Sequence, residues 1–433
     1  RLDYDDWERA AGPGWGWPDM LAAYRAIEDH ELGASELRGA GGPVRVSIGP
    51  FRYPEAEAFI AAGVQAGLPA RGDDLNHPDL DGIGWYAHSV RRGRRESSST
   101  AFIEPVRRRP NLDVKTDAFV ERIEFEGRRA IAVVARVNGQ RIRFGVRREV
   151  IVANGAVMTP KLLELSGIGD AARLQRLGID LVHHSPNVGE GLRDHLIFSM
   201  PHRLLGARGL NRRFRGIGRL PDLLRYQLLG KGPMTLGPYE VGAFTRSDAS
   251  QDRPDVQLYF SAHSKMSGRT TTEREPGFTV STHLVQTSSI GSVHASSAEP
   301  DAPVDLRPNH LTHELDRHRV VASVRFIRSV VRQPAFAHHV GDELAPGLTK
   351  MSDDEILEAV LPRISGGTHA MGTCAMGRNE DAVLDDRLRV RGVEGVRVVS
   401  CASMPGLVSG NTSAPAMALA WKAADLIDAE RRS

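Results

Sequence analysis

The chain has 433 residues, enough for two or three domains of about 100–200 residues each. Its 41% apolar and 25% charged residues are typical of globular proteins, and its net charge of +2 gives no general argument for binding nucleic acid. Two cysteines, Cys374 and Cys401, exclude a disulfide framework and a cysteine metal site. Two thiols fit a reducing compartment, so we expect a cytoplasmic protein. No apolar run approaches the roughly 18 residues of a transmembrane helix.

The first hundred residues carry mainly helical patterns. The sequence opens at Arg1 without an initiator methionine or a signal-peptide pattern, as the middle of a protein would. Apolar spacing predicts helices over Trp17–Ile27 and Ala56–Ala66, with a short strand at Val44–Ser47 between them. Arg91–Thr100 is basic and serine-rich, which indicates a solvated loop.

Residues 112–156 are typical of consecutive strands. The predicted strands are 112–117, 119–127, 129–139 and 148–156, with a strong Asn-Gly hairpin signal at Asn138-Gly139. A helix at Pro160–Leu165 follows. Gly167–Ala172 formally matches the dinucleotide pattern G-x-G-x-x-A, but a helix precedes it where that fingerprint requires a strand. We therefore interpret this segment as a helix cap and turn.

The pattern of predicted elements changes over residues 196–360, which suggests a second domain. Strand-like runs at 255–263, 277–286 and 291–297 are joined by longer loops, and a helix is predicted over His318–Val331. A helix over Ser413–Ile427 closes the chain. We predict an α/β protein, α+β overall. We predict that residues 196–360 form a domain built on an antiparallel sheet flanked by helices. This domain is inserted into a Rossmann-like domain, which residues 1–195 and 361–433 form.

Two polar turns near the C-terminus hold the candidate catalytic residues. His369 lies in the sequence SGGTHAMG and Asn411 in VSGNTS. A histidine and an asparagine from separate loops can converge on one substrate oxygen and remove a proton from an alcohol. Histidine suits the role because its ordinary pKa is about 6.5. We predict no metal site, since the adjacent pair His183-His184 would point to opposite faces of a strand.

Several blocks, in this order and spacing, resemble the glucose–methanol–choline (GMC) family of FAD-dependent oxidoreductases. The blocks are Asp3–Trp7, Gly14–Trp17, Ser97–Ile103, Arg109–Leu112, Gly155–Gly169, Val188–His195 and the His369 and Asn411 segments. The resemblance implies FAD-dependent oxidation of an alcohol, with His369 as the base and Asn411 as a hydrogen-bond partner of the substrate oxygen. The partners implied are a small-molecule alcohol and a quinone, another electron acceptor or oxygen.

The resemblance also implies residues that contact FAD. These are Val120, Ala153, Gly155, Ser400, Cys401, Thr412 and Ser413. Two positions depart from the family pattern, because Asn154 stands where a small residue is usual and Ser400 where an aspartate is typical. The family's opening G-x-G-x-x-G segment is not found, which implies an incomplete FAD-binding domain and a missing N-terminal segment or a partner subunit.

Two alternatives stay open at this point. One is a hydroxynitrile-lyase-type activity, which uses the same scaffold and histidine acid–base chemistry. The other is an inactive truncated fragment or subunit that cannot hold FAD alone.

Overall fold

A computed structural model describes residues 1–49, 51–77, 79–235, 237, 239–265 and 271–432. Within these ranges the protein is a mixed α/β structure with ten α-helices and 23 strands. The helices are α1 (Leu2–Ala11), α2 (Trp17–Ile27), α3 (Pro54–Gln65), α4 (Gly155–Leu165), α5 (Ala171–Arg176), α6 (Leu220–Leu229), α7 (Glu314–Val331), α8 (Pro334–Ala337), α9 (Asp353–Val360) and α10 (Ser413–Arg432). None of them is long and apolar enough to cross a membrane.

The strands form several separate sheets. In chain order they are β1 (Glu28–His30), β2 (Val44–Ile48), β3 (Ala70–Gly72), β4 (Gly82–Trp85), β5 (Ala87–His88), β6 (Val90–Arg91), β7 (Arg94–Arg95), β8 (Ala118–Glu126), β9 (Arg129–Val137), β10 (Gln140–Gly145), β11 (Val150–Val152), β12 (Ile168–Gly169), β13 (His183–His184), β14 (Glu190–Leu192), β15 (Leu196–Leu204), β16 (Val241–Thr245), β17 (Val256–Ser261), β18 (Gly277–Leu284), β19 (Gly291–Ala295), β20 (Val304–Arg307), β21 (Val340–Glu343), β22 (Ser365–Gly366) and β23 (Val396–Val398).

The largest sheet has eight strands in the order β21-β15-β18-β17-β16-β4-β3, with β22 also paired to β15. Every pairing in it is antiparallel except β3 with β4. Strands β17 and β18 are buried along their whole length. Alternate residues of a strand point to opposite faces. One face of this pair, including Leu258, Phe260 and Val280, packs into a hydrophobic core, so the other face is left for Gln257, Tyr259 and His283.

The buried side chains fall into two hydrophobic clusters. The first contains Trp7 and Trp15, together with parts of α4, α10, β11 and β23. The second lies between the large sheet and helices α3, α7, α8 and α9, where Phe59 stacks on Phe260 with ring centroids 4.4 Å apart. Residues 53–85 contribute to this second cluster although they precede residue 196 in the chain. The division into 1–195, 196–360 and 361–433 stays a prediction.

A parallel pair of strands lies in the first cluster. β11 pairs with β23, with Val150 opposite Val396 and Val152 opposite Val398. The two strands therefore end side by side, and the turn after each one emerges at the same edge. Helix α4 starts from the first of these turns at Gly155, where φ is +72°. A separate three-stranded sheet, β10-β9-β8, packs on α4 through β8.

Most of the elements predicted from the sequence are confirmed. The predicted helices correspond to α2, α3, α4, α7 and α10, and the predicted strands after residue 118 correspond to β8, β9, β11, β17, β18 and β19. Helix α7 shows why the pattern works, because its apolar face, which includes Val320, Val324 and Ile327, is buried in the second cluster. Gly167 follows α4 with φ +84°, which agrees with a helix cap and turn.

Three expectations need correction. Residues 112–117 form no strand, since residues 113–117 are exposed and have no apolar face to bury. Arg91–Thr100 contains a short hairpin, β6 with β7, and a π-helical turn at Ser99–Ile103 rather than a plain loop. Helix α4 begins five residues before the predicted Pro160, which lies inside the helix. A proline cannot donate to the carbonyl four residues earlier, and here that carbonyl, of Ala156, accepts from the Thr373 hydroxyl at 2.6 Å instead.

Candidate active site

The His369 turn is held in place by the segment that contains Asp194 and His195. Strand β22 pairs with β15, and the amide of Gly367 donates to the carbonyl of His195 at 2.6 Å. The Asp194 carboxylate accepts from the backbone amide of His369 at 2.8 Å. Burial raises the pKa of Asp194, while the amides of His369, His195 and Thr368 lower it. The turn also needs Gly366, since a Cβ there would lie 2.5 Å from an Asp194 oxygen.

A second imidazole occupies one side of the His369 ring. The Nδ1 atom of His195 lies 2.9 Å from Nδ1 of His369, and the rings meet edge to face. His195 is fully buried. Burial, His369 and His283 lower the pKa of His195 well below its ordinary value, while the carbonyls of Val408 and Val285 act in the opposite direction. His195 is therefore neutral at physiological pH.

Asn411 lies on the other side of the His369 ring, and its amide orientation is fixed by its neighbours. Its Nδ2 atom is 3.3 Å from Nε2 of His369. Its Oδ1 atom accepts from the Tyr259 hydroxyl at 3.3 Å and from Nε2 of Gln257 at 3.5 Å. The Tyr86 hydroxyl donates its own proton to the Leu258 carbonyl, so it can only accept from Gln257. Gln257 therefore directs its NH2 group to the Tyr86 oxygen, at 3.0 Å, and the same NH2 group faces Asn411. Since Oδ1 faces two donors, Nδ2 must face His369.

These contacts assign the tautomer of His369. The Asn411 NH2 group can only donate, so the His369 Nε2 facing it carries a lone pair. The proton of the neutral ring is then on Nδ1, where it donates to Nδ1 of His195. Burial lowers the pKa of His369, which favours this neutral form. His369 thus presents a basic nitrogen toward the half-open side of the site, next to an amide donor.

A third histidine, His283 on β18, completes a group of imidazoles with His195 and His369. One nitrogen from each lies within 4.8 Å of the others. Burial and His369 lower the pKa of His283 to about 3. Two imidazoles on one tetrahedral zinc ion, with Zn–N of about 2.0–2.1 Å, would hold their nitrogens about 3.3 Å apart. The 2.9 Å between the Nδ1 atoms of His195 and His369 fits a direct hydrogen bond better. The absence of a metal centre stays a prediction.

Six of the seven residues predicted to contact FAD lie in three neighbouring segments. Ala153 and Gly155 follow β11, Ser400 and Cys401 follow β23, and the strands are joined by a hydrogen bond from the Val399 amide to the Val152 carbonyl at 2.9 Å. Burial raises the pKa of the Cys401 thiol, and a hydrogen bond with the Thr412 hydroxyl partly offsets that rise. Ser413 follows Thr412 directly in the chain. The seventh residue, Val120, lies on β8 in a different sheet.

The chemistry of this edge suits a flavin dinucleotide. In α/β proteins ligands bind outside the carboxyl ends of parallel strands, and helix N-termini offer unpaired amides to phosphate or carbonyl oxygens. Helices α4 and α10 begin here, and Ala153 and Ser413 are exposed. Among the residues that the structure describes, no heavy atom outside the adjacent residues and the backbone of α4 lies within 4 Å of a Cβ placed on Gly155. The residues present therefore fit FAD, and the contacts of each one stay a prediction.

Sequence reasoning missed five residues of this site. The roles of Asp194 and His195 were not recognised, although both lie in a block that resembles the GMC family. Gln257, Tyr259 and His283 lie on β17 and β18, where Gln257 is directly opposite His283. The available signal was alternation, since polar residues occupy every second position of otherwise apolar buried strands.

Solved structures share this architecture over nearly the whole chain. Formate oxidase has a TM-score of 0.93 at 26% sequence identity, over 100% of this chain and 81% of that chain. Pyridoxine 4-oxidase from Mesorbium loti has a TM-score of 0.87 at 26% identity, over 99% of this chain and 80% of that chain. The shared fold therefore places the chain among oxidoreductases.

The chain belongs to the GMC oxidoreductase family, whose models match residues 1–197 and 287–420. It is similar to the mitochondrial choline dehydrogenase of Homo sapiens, with 37% identity over 429 residues, covering 98% of this chain and 72% of the relative. It is also similar to an alcohol dehydrogenase [acceptor] of Pseudomonas putida, with 35% identity over 433 residues, covering 98% of this chain and 78% of the relative. The chain thus spans roughly three quarters of the length of these relatives.

Proposed function

We propose that this chain carries the acid–base site of an FAD-dependent enzyme that oxidises an alcohol. The observation that supports this most is the pairing of His369 Nε2 with Asn411 Nδ2 at 3.3 Å, with the opposite side of His369 closed by His195. One basic nitrogen and one amide donor thereby lie side by side. A hydroxyl oxygen placed there could give its proton to one and accept a hydrogen bond from the other.

The proton is removed by His369. Its Nε2 lone pair accepts the hydroxyl proton, and the ring becomes an imidazolium whose Nδ1–H still donates to His195. Asp194 does not contact the ring, because its carboxylate holds the backbone amide of His369. Asp194 and His195 therefore fix the position and tautomer of the base.

The negative charge that develops on the substrate oxygen is stabilised by Asn411. Its Nδ2 group donates but cannot accept a proton, so His369 is the only base of the pair. Tyr259 and Gln257 keep the Asn411 oxygen turned away from the substrate. When bound, FAD would take up the hydride from the alcohol carbon. Val120, Ala153, Gly155, Ser400, Cys401, Thr412 and Ser413 are the residues proposed to hold it.

The relatives suggest the substrates to test. One relative is a choline dehydrogenase and another an alcohol dehydrogenase. The protein, expressed from its complete reading frame, should be mixed without oxygen with choline, pyridoxine and simple primary alcohols. We expect bleaching of the flavin absorbance with at least one alcohol. Release of cyanide from a hydroxynitrile without bleaching would instead favour the lyase, and no response to any compound would contradict the proposal.

A further inference from the structure

An unusual number of large apolar side chains is exposed on and beside helix α6. Ile217 is 83% exposed, Leu228 is 79% exposed and Leu224 is 61% exposed. We call the whole group the leucine patch, and it consists of Ile217, Leu220, Leu223, Leu224, Leu228 and Leu229. Contiguous exposed apolar residues of this kind mark a surface that contacts a partner or a membrane.

Helix α6 is attached to the rest of the protein by its other face. Asp222 is buried and accepts from Nε of Arg213 at 2.7 Å. One turn later the Tyr226 hydroxyl donates to the carbonyl of Gly93 at 2.9 Å. Residues four apart share a helix face, so these two contacts anchor the polar side and leave the leucines outward. The patch is therefore a consequence of how the helix is docked.

Basic side chains surround the leucine patch. Residues 212–231 contain six basic residues and one acidic residue, a net charge of +5 in a chain whose total is +2. Arg212, Arg219, Arg225 and Lys231 are exposed, and none forms an ion pair within the part of the chain that the structure describes. The one acidic residue, Asp222, is already paired with Arg213. The surface thus combines apolar side chains with unneutralised positive charge.

We propose that the leucine patch and its basic surroundings dock the protein on an anionic lipid surface. A helix with exposed leucines and flanking arginines or lysines lies in the interface, with the leucines among the acyl chains and the cations at the headgroups. With ten residues, α6 is far too short to span a bilayer and is suited to lying along its surface.

A second copy of the chain is a less favourable occupant. A two-fold contact through this patch would bring two surfaces of charge +5 together, and like charges oppose such an interface. Anionic headgroups would neutralise the same charges. This inference does not depend on the proposed catalytic function, because it uses no residue of the His369 site.

Vesicle co-sedimentation of the purified full-length protein tests the proposal. Neutral phosphatidylcholine vesicles should be compared with vesicles that also contain phosphatidylglycerol. We expect roughly tenfold stronger partitioning onto the anionic vesicles, weakening with added salt. The variant Leu224→Glu/Leu228→Glu should lose this binding. The matched control Leu32→Glu/Leu181→Glu replaces leucines that are 56% and 51% exposed elsewhere and should bind like the wild type.

Three outcomes would overturn the proposal. They are no binding of the wild type to anionic vesicles at low salt, binding that survives Leu224→Glu/Leu228→Glu, and equal loss in the control variant. Thermal unfolding of both variants checks that they fold. Sedimentation velocity without lipid adds a further distinction, because self-association that the patch variant abolishes, without vesicle binding, would assign the patch to a second copy instead.

Discussion

His195 Nδ1 lies 2.9 Å from His369 Nδ1, while Asn411 Nδ2 lies 3.3 Å from Nε2 of the same ring. The two nitrogens of His369 thus have different neighbours, a buried neutral imidazole on one side and an amide donor on the other. Because an amide NH2 cannot accept, only one tautomer satisfies both contacts. In the proposed reaction His369 is therefore prepared for proton abstraction before any substrate arrives, and each of its neighbours can be tested separately.

His195 should matter as a hydrogen-bond acceptor. In His195→Leu the Nδ1–H of His369 loses its partner, and we expect kcat/KM to fall about 100-fold, the lower part of the range for a general base. His195→Gln offers an amide oxygen at a similar place, so its kcat/KM should be about tenfold higher than that of His195→Leu. The control is His202→Gln, which changes another buried histidine outside the site. Equal activities for the Gln and Leu variants would contradict a hydrogen-bonding role.

Tyr259 should act through Asn411. Tyr259→Phe removes one donor to Asn411 Oδ1, worth about 1 kcal/mol, so kcat should fall about fivefold with little change in the substrate's KM. Asn411→Ala removes the donor to the substrate oxygen and should cost about 100-fold or more. In the double variant the Tyr259 effect should disappear. Additive losses would show that Tyr259 acts elsewhere. The matched control is Tyr226→Phe, which removes a half-buried tyrosine hydroxyl that bonds to the Gly93 carbonyl, outside the site.

The pH profile should report the lowered pKa of His369. Burial lowers that pKa from its ordinary value, so the neutral base persists to lower pH than a free histidine would. The value of kcat/KM should fall as pH drops through a pKa below about 6.5 and stay level above it. A rise that continues well above pH 7 would mean that another group controls the reaction.

Glu240 should make stability depend on pH. Burial raises its pKa to about 7, and the Tyr53 hydroxyl, at 2.6 Å, lowers it in part. The folded state then holds a proton that the unfolded state releases near pH 4.5, so stability falls as pH rises from about 4.5 to about 7 and is constant above. Glu240→Gln should abolish this loss, worth up to about 3 kcal/mol.

Urea denaturation at pH 5 and pH 8 measures that effect. The free energy of unfolding of the wild type should be lower at pH 8 than at pH 5, and Glu240→Gln should not show this loss. The exposed control Glu57→Gln should behave like the wild type at both pH values. If the free energies of unfolding of wild type and Glu240→Gln differ by the same amount at both pH values, Glu240 does not titrate in this range.

Local signals in the sequence were enough to predict most of the helices and strands and to single out the turns of His369 and Asn411 as candidates, while the catalytic role of these turns stays a prediction. His369 and Asn411 each lie in a short polar turn beside apolar segments, so they could be singled out. Periodicity also located helices such as α7, because their buried faces repeat every three to four residues. It failed for residues 112–117, because residues 113–117 are exposed to solvent.

The surroundings of the two turns could not be predicted in the same way. Tyr259, Gln257 and His283 reach the site because β17 and β18 are neighbours in the large sheet, with Gln257 opposite His283. That order and register depend on long-range pairing, which no local pattern contains. His195 shows the same limit, because the sequence places it 174 residues before His369. The pairing of β15 with β22 and the bond from the His369 amide to Asp194 bring the two histidines together.

The central claim is that His369 is the base that removes the substrate proton. The most direct measurement is the rate of anaerobic flavin reduction by an alcohol substrate in the wild type, His369→Gln and His369→Ala, with flavin content and folding checked for each. We predict that both variants keep their flavin and slow reduction by at least about 100-fold, with the pH dependence below pH 6.5 lost. Reduction by His369→Ala at the wild-type rate would contradict the account.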